Sequence, residues 1–197
     1  MNILSQFLVG AVGIAVAISV HEFGHAYVAH LLGDDTAKMS GRMTLDPMKH
    51  VDPLGLIMLI VARFGWAKPV PVNPNNFKNY KVGNLLVSLA GPLFNVITAI
   101  IVINLMGFVK LEALIIILDS IFMYNVGFAA FNLLPLPPLD GWGIVSTFIP
   151  LKYYDAVYKY ESMSTFIFIV LILTNIHVII LDPIVKVLYS IISMFIF

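Results

Sequence analysis

Apolar positions along this chain fall into long runs separated by short polar breaks. A helix needs ~20 mostly apolar residues to cross a hydrocarbon core of ~30 Å. The run at 3–32 meets that length, and Gly33-Asp34-Asp35 closes it as a C-terminal stop. A second run covers 82–109 and a third 113–134, where Pro135, Pro137 and Pro138 end helical geometry. A fourth, 165–181, is shorter, and Asp182-Pro183 is expected to stop it. The tail 184–197 is apolar but too short to span, so it is expected to lie in the interface or complete a kinked helix. The connection 34–81 carries a short apolar run, 54–64, only half a bilayer long. That length suggests a re-entrant or interfacial piece. Pro69, Pro71 and Pro74 then exclude helix and leave extended structure. The pattern predicts an all-α polytopic membrane protein with a small β or re-entrant element between its first two spans. The N-terminal run lacks a basic leader and outlasts the ~7–15 residues of a signal-peptide core, so it is expected to be part of the mature fold.

Composition strengthens this reading. Of 197 residues, 60% are hydrophobic and 11% charged, against about 25% charged in soluble domains. Lipid is therefore the expected solvent. Eleven basic residues balance eleven acidic ones, which argues against a nucleic-acid partner. With no cysteine, any metal must be held by His, Asp or Glu. Basic residues set the orientation. Lys38, Arg42, Lys49, Arg63, Lys68, Lys78 and Lys81 lie in the connection, and Lys152 and Lys159 fall on the same side. Only Lys110 and Lys186 fall on the other. The connection is expected in the cytoplasm and the N-terminus outside.

Candidate chemistry sits inside the first run, at His21-Glu22-Phe23-Gly24-His25. Residues four apart share a helix face, so both imidazoles can reach one ion. Glu22 lies beside the metal rather than on it. This is the geometry of a zinc peptidase, with two His ligands and a Glu that takes a proton from the metal's water. A charged side chain mid-span costs ~2.5–3.5 kcal/mol on insertion scales, and Glu22 has no Lys or Arg nearby in the run to offset it. A metal-free packing or hydrogen-bonded cluster is the bland alternative. Gly13 and Ala17, at four-residue steps before His21, would let a second helix approach closely.

Catalytic zinc usually has three protein ligands and an open position. His30 is turned well away from His25 around the helix and reads as a helix-end residue. His177 has no acidic companion in its turn. His50, in the connection, fits turn chemistry or a supporting role, and Asp119 fits a small polar gap between helices. Asp140 is the best candidate, because the prolines before it free the chain to fold back toward the first span.

The motif His21-Glu22-Phe23-Gly24-His25 resembles the zinc motif of the site-2 protease family. Asn132-Leu133-Leu134-Pro135-Leu136-Pro137-Pro138-Leu139-Asp140-Gly141 resembles that family's second signature, whose Asp is the third zinc ligand. Ala90-Gly91-Pro92-Leu93-Phe94-Asn95 resembles an element of its second core helix. Gly65-Trp66-Ala67-Lys68-Pro69-Val70-Pro71-Val72-Asn73-Pro74 resembles a loop of its compact prokaryotic members. The similarity covers roughly residues 1–145, with C-terminal membrane helices at 146–197. It implies a three-helix catalytic core with Zn2+ on His21, His25 and Asp140 and with Glu22 as general base. The implied setting is a prokaryotic cell membrane, with the site opening toward the cytoplasm. Substrates would be single-span membrane proteins or signal-peptide remnants, often cut after a first cleavage. Asn132 would orient substrate or stabilise an oxyanion, or else simply cap the third span.

Opening a substrate helix frees backbone groups that must be re-paired in lipid, and adding the substrate as a strand would do so. In the extended segment 68–73, Pro69 and Pro71 strip donors from one edge while Val70 and Val72 keep theirs on the other. Val70 and Val72 are therefore expected to pair with substrate, or else with the connection near 42–45. A membrane metal transporter is the rival class, but transport needs successive sites across the bilayer, and the chain has one cluster. A catalytically inactive relative that only binds membrane partners is the other rival, and intact Glu22 argues against it.

Overall fold

The computed structural model describes residues 2–62, 65–174 and 176–197. Helix α1 runs Ile3–Leu31. The Asn2 side chain caps it by accepting the Ser5 N–H at 2.8 Å. It ends at Gly33, whose φ of 101° only glycine adopts readily. Four pieces of the connection follow: α2 (Thr36–Met39), α3 (Pro47–His50), α4 (Pro53–Ala62) and a 3-10 turn at Pro74–Asn76. Helix α5 spans Tyr80–Met106, with the Asn79 side chain capping the Val82 N–H, and α6 spans Glu112–Asn132. Among the described residues, α1, α5 and α6 are the three helices long and apolar enough to cross a membrane.

These three helices pack against one another in every pairing. In lipid, apolar burial contributes little to helix association, so close approach and interhelical hydrogen bonds must hold the bundle. The small-residue stripe does the first. A Cβ on Gly13 would sit 2.5 Å from Ser120 Oγ and 2.5 Å from Tyr124 Cδ2, so α1 and α6 meet as closely as the sequence suggests. Asn95 of α5 and Asn125 of α6, both fully buried, supply the second with a 2.8 Å amide bond.

Helix α7 (Asp140–Ser146) follows the proline turn and lies against α5, where Asn84 Nδ2 donates to Gly143 O and Thr147 Oγ1. Helices α8 (Tyr154–Thr174) and α9 (Ile176–Ser193) complete the chain. From α8, Tyr160 OH donates to Pro135 O at 2.8 Å. Leu188 and Ile192 of α9 enter the core formed by α5 and α6.

Two expectations are corrected. The fourth run, 165–181, is not a span stopped at Asp182-Pro183, because that pair lies inside α9. Proline there removes one donor, which a flanked helix tolerates, and Lys186 pairs with Asp182 one turn on. The small β or re-entrant element is not formed either. Among the described residues there is no sheet, only one antiparallel bridge between Val51 and Ala67. The run at 54–64 is helical through Ala62 as α4, and Arg63 and Phe64 lie outside the described residues. No ladder grows from 68–73 because its prolines offer no donor, while the N–H groups of Val70 and Asn73 go to the side chains of Glu22 and Asp34.

Candidate metal centre

One helical turn separates His21 from His25, and each ring is held from behind. His25 Nδ1 lies 2.7 Å from the carbonyl oxygen of Val87. A carbonyl can only accept, so Nδ1 carries the proton and Nε2 presents a lone pair. His21 Nδ1 lies 2.7 Å from Asn95 Oδ1. The Asn95 amide nitrogen donates to Ala17 O and Asn125 Oδ1, both at 2.8 Å, so its oxygen must face His21 as an acceptor. His21 is therefore also protonated at Nδ1, with Nε2 bare.

Both bare nitrogens converge on one carboxylate. The two Nε2 atoms are 3.0 Å apart, His21 Nε2 is 3.0 Å from Asp140 Oδ2, and His25 Nε2 is 3.3 Å from Asp140 Oδ1. Buried Asp140 Oδ2 has no hydrogen-bond partner despite that proximity. Three lone-pair donors crowd together with no proton between them, which fits a cation. Tetrahedral zinc with bonds near 2.0–2.1 Å needs donor separations of roughly 3.3 Å, close to those found. The centre also depends on a missing side chain. A Cβ on Gly91 would lie 2.5 Å from His21 Cε1 and 2.5 Å from His25 Nε2, so α5 can approach the rings only with glycine there.

Asp140 reaches the centre because α6 ends at Asn132 and the chain turns back through the prolines. Leu134 and Leu136 are buried in that turn, and the N–H groups of Leu136 and Leu139 bond to the carbonyls of Leu134 and Leu136. Glu22, the neighbour of His21 on α1, is buried, and its Oε2 accepts the Val70 N–H at 2.8 Å. Phe128 of α6 sets its ring edge-on to His21, with centroids 4.8 Å apart.

The structure thus brings together His21, His25 and Asp140, with Glu22 next to His21 on α1 and bonded to Val70. Asn132 is buried, and its Nδ2 donates back to Phe128 O at 3.0 Å within α6. The expectation for Val70 is corrected, since its N–H is not free for a substrate strand but is bonded to Glu22. Val72 packs its side chain against the buried Ala26, Ala37 and Val70. His30 pairs with Asp35 at the end of α1, as a helix-end residue would. His50 is fully buried in the connection, with Nε2 2.8 Å from Thr44 O, and Asp119 is exposed on α6. The side chain of His177 lies outside the described residues.

Three contributors escaped sequence reasoning. Asn95 and Asn125 orient a ligand ring, and their signal was an amide in mid-span with no bland use there. Asp34, read only as part of a helix stop, is fully buried and accepts four bonds: Thr36 N–H and hydroxyl, Asn73 N–H at 2.7 Å and Asn76 Nδ2 at 2.7 Å. Burial opposes its charge, but these donors, Thr36 foremost, hold its carboxyl below its ordinary 3.8.

Similar proteins carry the same inference. "Putative zinc metalloprotease YwhC" of Bacillus subtilis (strain 168) is 42% identical over 178 residues, covering 85% of this chain and 81% of that protein. "Putative zinc metalloprotease Rip2" of Mycolicibacterium smegmatis is 28% identical over 186 residues, covering 88% of this chain and 70% of the relative. The Mycobacterium tuberculosis (strain H37Rv) protein of the same name is 33% identical over 148 residues, 69% of this chain and 55% of the relative. No family profile matches the chain, and no solved structure matches it significantly. A His-His-Asp centre, with both histidines buried on a membrane-capable helix and the aspartate at the start of α7, defines the class as a metalloprotein. The chain belongs to the zinc metalloprotease family of these relatives, and Zn2+ is its metal.

Proposed function

We propose that this chain is an intramembrane zinc endopeptidase of the site-2 protease type, which hydrolyses peptide bonds in membrane-embedded helices. The observation that carries this is the convergence of His21, His25 and Asp140 beside Glu22. The two histidines sit on a span-length apolar helix, with His21 ten residues or roughly 15 Å from the helix end at Leu31. Zinc in that centre supplies Lewis-acid polarisation of the scissile carbonyl and makes a water acidic enough to ionise near neutral pH.

The protein's own groups do the rest. His21, His25 and Asp140 hold the ion, and the Asn95 and Val87 oxygens keep both rings in the metal-binding tautomer. Oε1 of Glu22 makes no hydrogen bond among the described residues, while Oε2 is tied to Val70. Oε1 takes the proton of the attacking water and passes it to the leaving amine. Asn132 uses one amide hydrogen on Phe128 O, and the second serves the carbonyl oxygen as it gains charge. The N–H of Val72, without a partner among the described residues, serves an unwound substrate strand. Substrate reaches the centre along an apolar groove of about 360 Å³ lined by Ile14, Met123, Tyr124, Gly127, Phe128 and Phe131. Phe128 joins that groove to His21. The excess of basic residues on the connection side supports a site that opens toward the cytoplasm.

The test is co-expression with candidate single-span membrane proteins. Wild type should cut one or more of them and carry about one zinc per chain. Glu22→Gln should keep the zinc and lose cleavage, and His21→Ala should lose both. Full cleavage by Glu22→Gln would remove the base assignment, and a zinc-free wild type would remove the mechanism.

A further inference from the structure

We propose that the backbone N–H of Val70 is a positioning group for the Glu22 carboxylate, and that Arg42, His50 and Asp34 act through it by pinning the segment on either side. This deepens the protease reading above and rests on it.

The segment 67–76 has an unusual distribution of donors. Pro69, Pro71 and Pro74 have none. Lys68 is clamped at both of its peptide groups. Its N–H donates to His50 O at 2.9 Å, and its carbonyl accepts Arg42 Nη2 at 2.6 Å. Arg42 is buried and makes no ion pair among the described residues, so its guanidinium serves this backbone rather than a surface carboxylate. At the far end, Asn73 N–H and Asn76 Nδ2 are held by buried Asp34. Between these clamps, Val70 buries its side chain against Ala26 and Ala37. Its N–H is the one donor between Lys68 and Val72, and it goes to Glu22 Oε2 at 2.8 Å.

The consequence is geometric. A carboxylate on a flexible side chain beside a metal can rotate onto the ion and become a ligand instead of a base. A fixed donor on Oε2 sets the carboxylate plane and leaves Oε1 to meet water. Prolines on both sides restrict φ, so the donor is ordered before substrate arrives. Strand addition through Val70 would have to break this bond, and strand addition through Val72 would not.

The flanking prolines also isolate the contact for measurement, because Val70 carries the only exchangeable amide in 69–71. In purified full-length protein, that amide should be protected from hydrogen exchange. Glu22→Ala should unprotect it while α1 stays protected. Equal protection at residue 70 in both proteins would overturn the proposal without any reference to activity. The second arm replaces Val70 with its α-hydroxy acid, which removes the N–H and keeps the side chain. Losing a hydrogen bond to a charged group should lower kcat about tenfold to a hundredfold, with KM and zinc content unchanged. Adding Asp34→Ala to that variant should cost less than it does alone, because both act through one bond. A wild-type kcat in the ester variant would overturn the proposal, and so would a raised KM with kcat intact, which would mark the N–H as substrate-binding. A wild-type chain that cuts no membrane helix overturns the protease reading instead, and the exchange arm then decides the contact on its own.

Discussion

Both histidines that would hold the metal depend on a neighbour that carries no charge. His21 is oriented by Asn95, which is oriented in turn by Ala17 O and Asn125. Replacing Asn95 with leucine leaves the Nδ1 proton of His21 buried without an acceptor and frees the ring to turn. Such supporting partners are typically worth 10–100-fold in metal affinity. Asn95→Leu should therefore weaken zinc binding by about that factor, measured by competition with a chelator, while the protein stays in the membrane. Asn125→Leu should do less, because Asn95 would keep its bond to Ala17. Equal zinc affinity in wild type and Asn95→Leu would show that the ring needs no such support. The first group of residues was legible from sequence and this second group was not, for a physical reason. His21 and His25 announce themselves by helical spacing, and Asp140 by the proline turn that frees it. Asn95 acts across helices, through contacts that exist only once α1, α5 and α6 are packed, so the sequence marks it as part of the 90–95 element but does not show its role.

At the level of elements, the sequence located α1, α5 and α6 to within a few residues, because twenty apolar residues in a row have few alternatives in lipid. It misjudged the connection. The proline pattern at 68–73 predicts a strand edge, but an edge needs donors and a partner strand. The available donors went to Glu22 and Asp34, which are far away in sequence. Asp34 makes this joint pH-sensitive. Its pKa is lowered in the folded protein, so its contribution to stability is present above the ordinary 3.8 and is lost as pH falls through the folded value. As pH falls below 3.8 the protection of the Asn73 amide should fall in wild type. In Asp34→Asn it should already be low and change little. A pH profile identical in the two proteins would mean that Asp34 does not bear the joint. A second element-scale expectation concerns the groove between α1 and α6. A Cβ on Gly127 would meet nothing within 4 Å, so a larger side chain there fills the groove rather than disturbing the bundle. Gly127→Leu should improve helix propensity by up to about 1 kcal/mol, keep zinc and raise KM severalfold. A KM equal to that of wild type would move the substrate path elsewhere.

For the molecule as a whole, the fold and the charge pattern combine into one topology. Asp34 at the end of α1 holds Asn73 and Asn76, just before α5 begins, so those two ends lie together. Helix α5 then crosses to Gly107, and α6 returns to the level of Asp140, which meets His21 and His25. The connection and the proline turn must share one face of the membrane, and the α5–α6 turn must share the other with the start of α1. We propose that this first face, which carries Lys38, Arg42, Lys49, Lys68, Lys78 and Lys81 of the connection, is the cytoplasmic one. The chain has no cysteine, so single introduced thiols report position without background. Ser40, Lys110 and Lys152 are all exposed. Ser40→Cys and Lys152→Cys should resist an impermeant thiol reagent on intact cells and react after the membrane is opened. Lys110→Cys should react on intact cells. Labelling of Ser40→Cys and Lys152→Cys from outside, with Lys110→Cys protected, would invert the orientation while leaving the bundle as it is. Labelling of Ser40→Cys and Lys152→Cys from opposite sides would be more serious, since it could not be reconciled with Asp140 and His21 meeting at one ion.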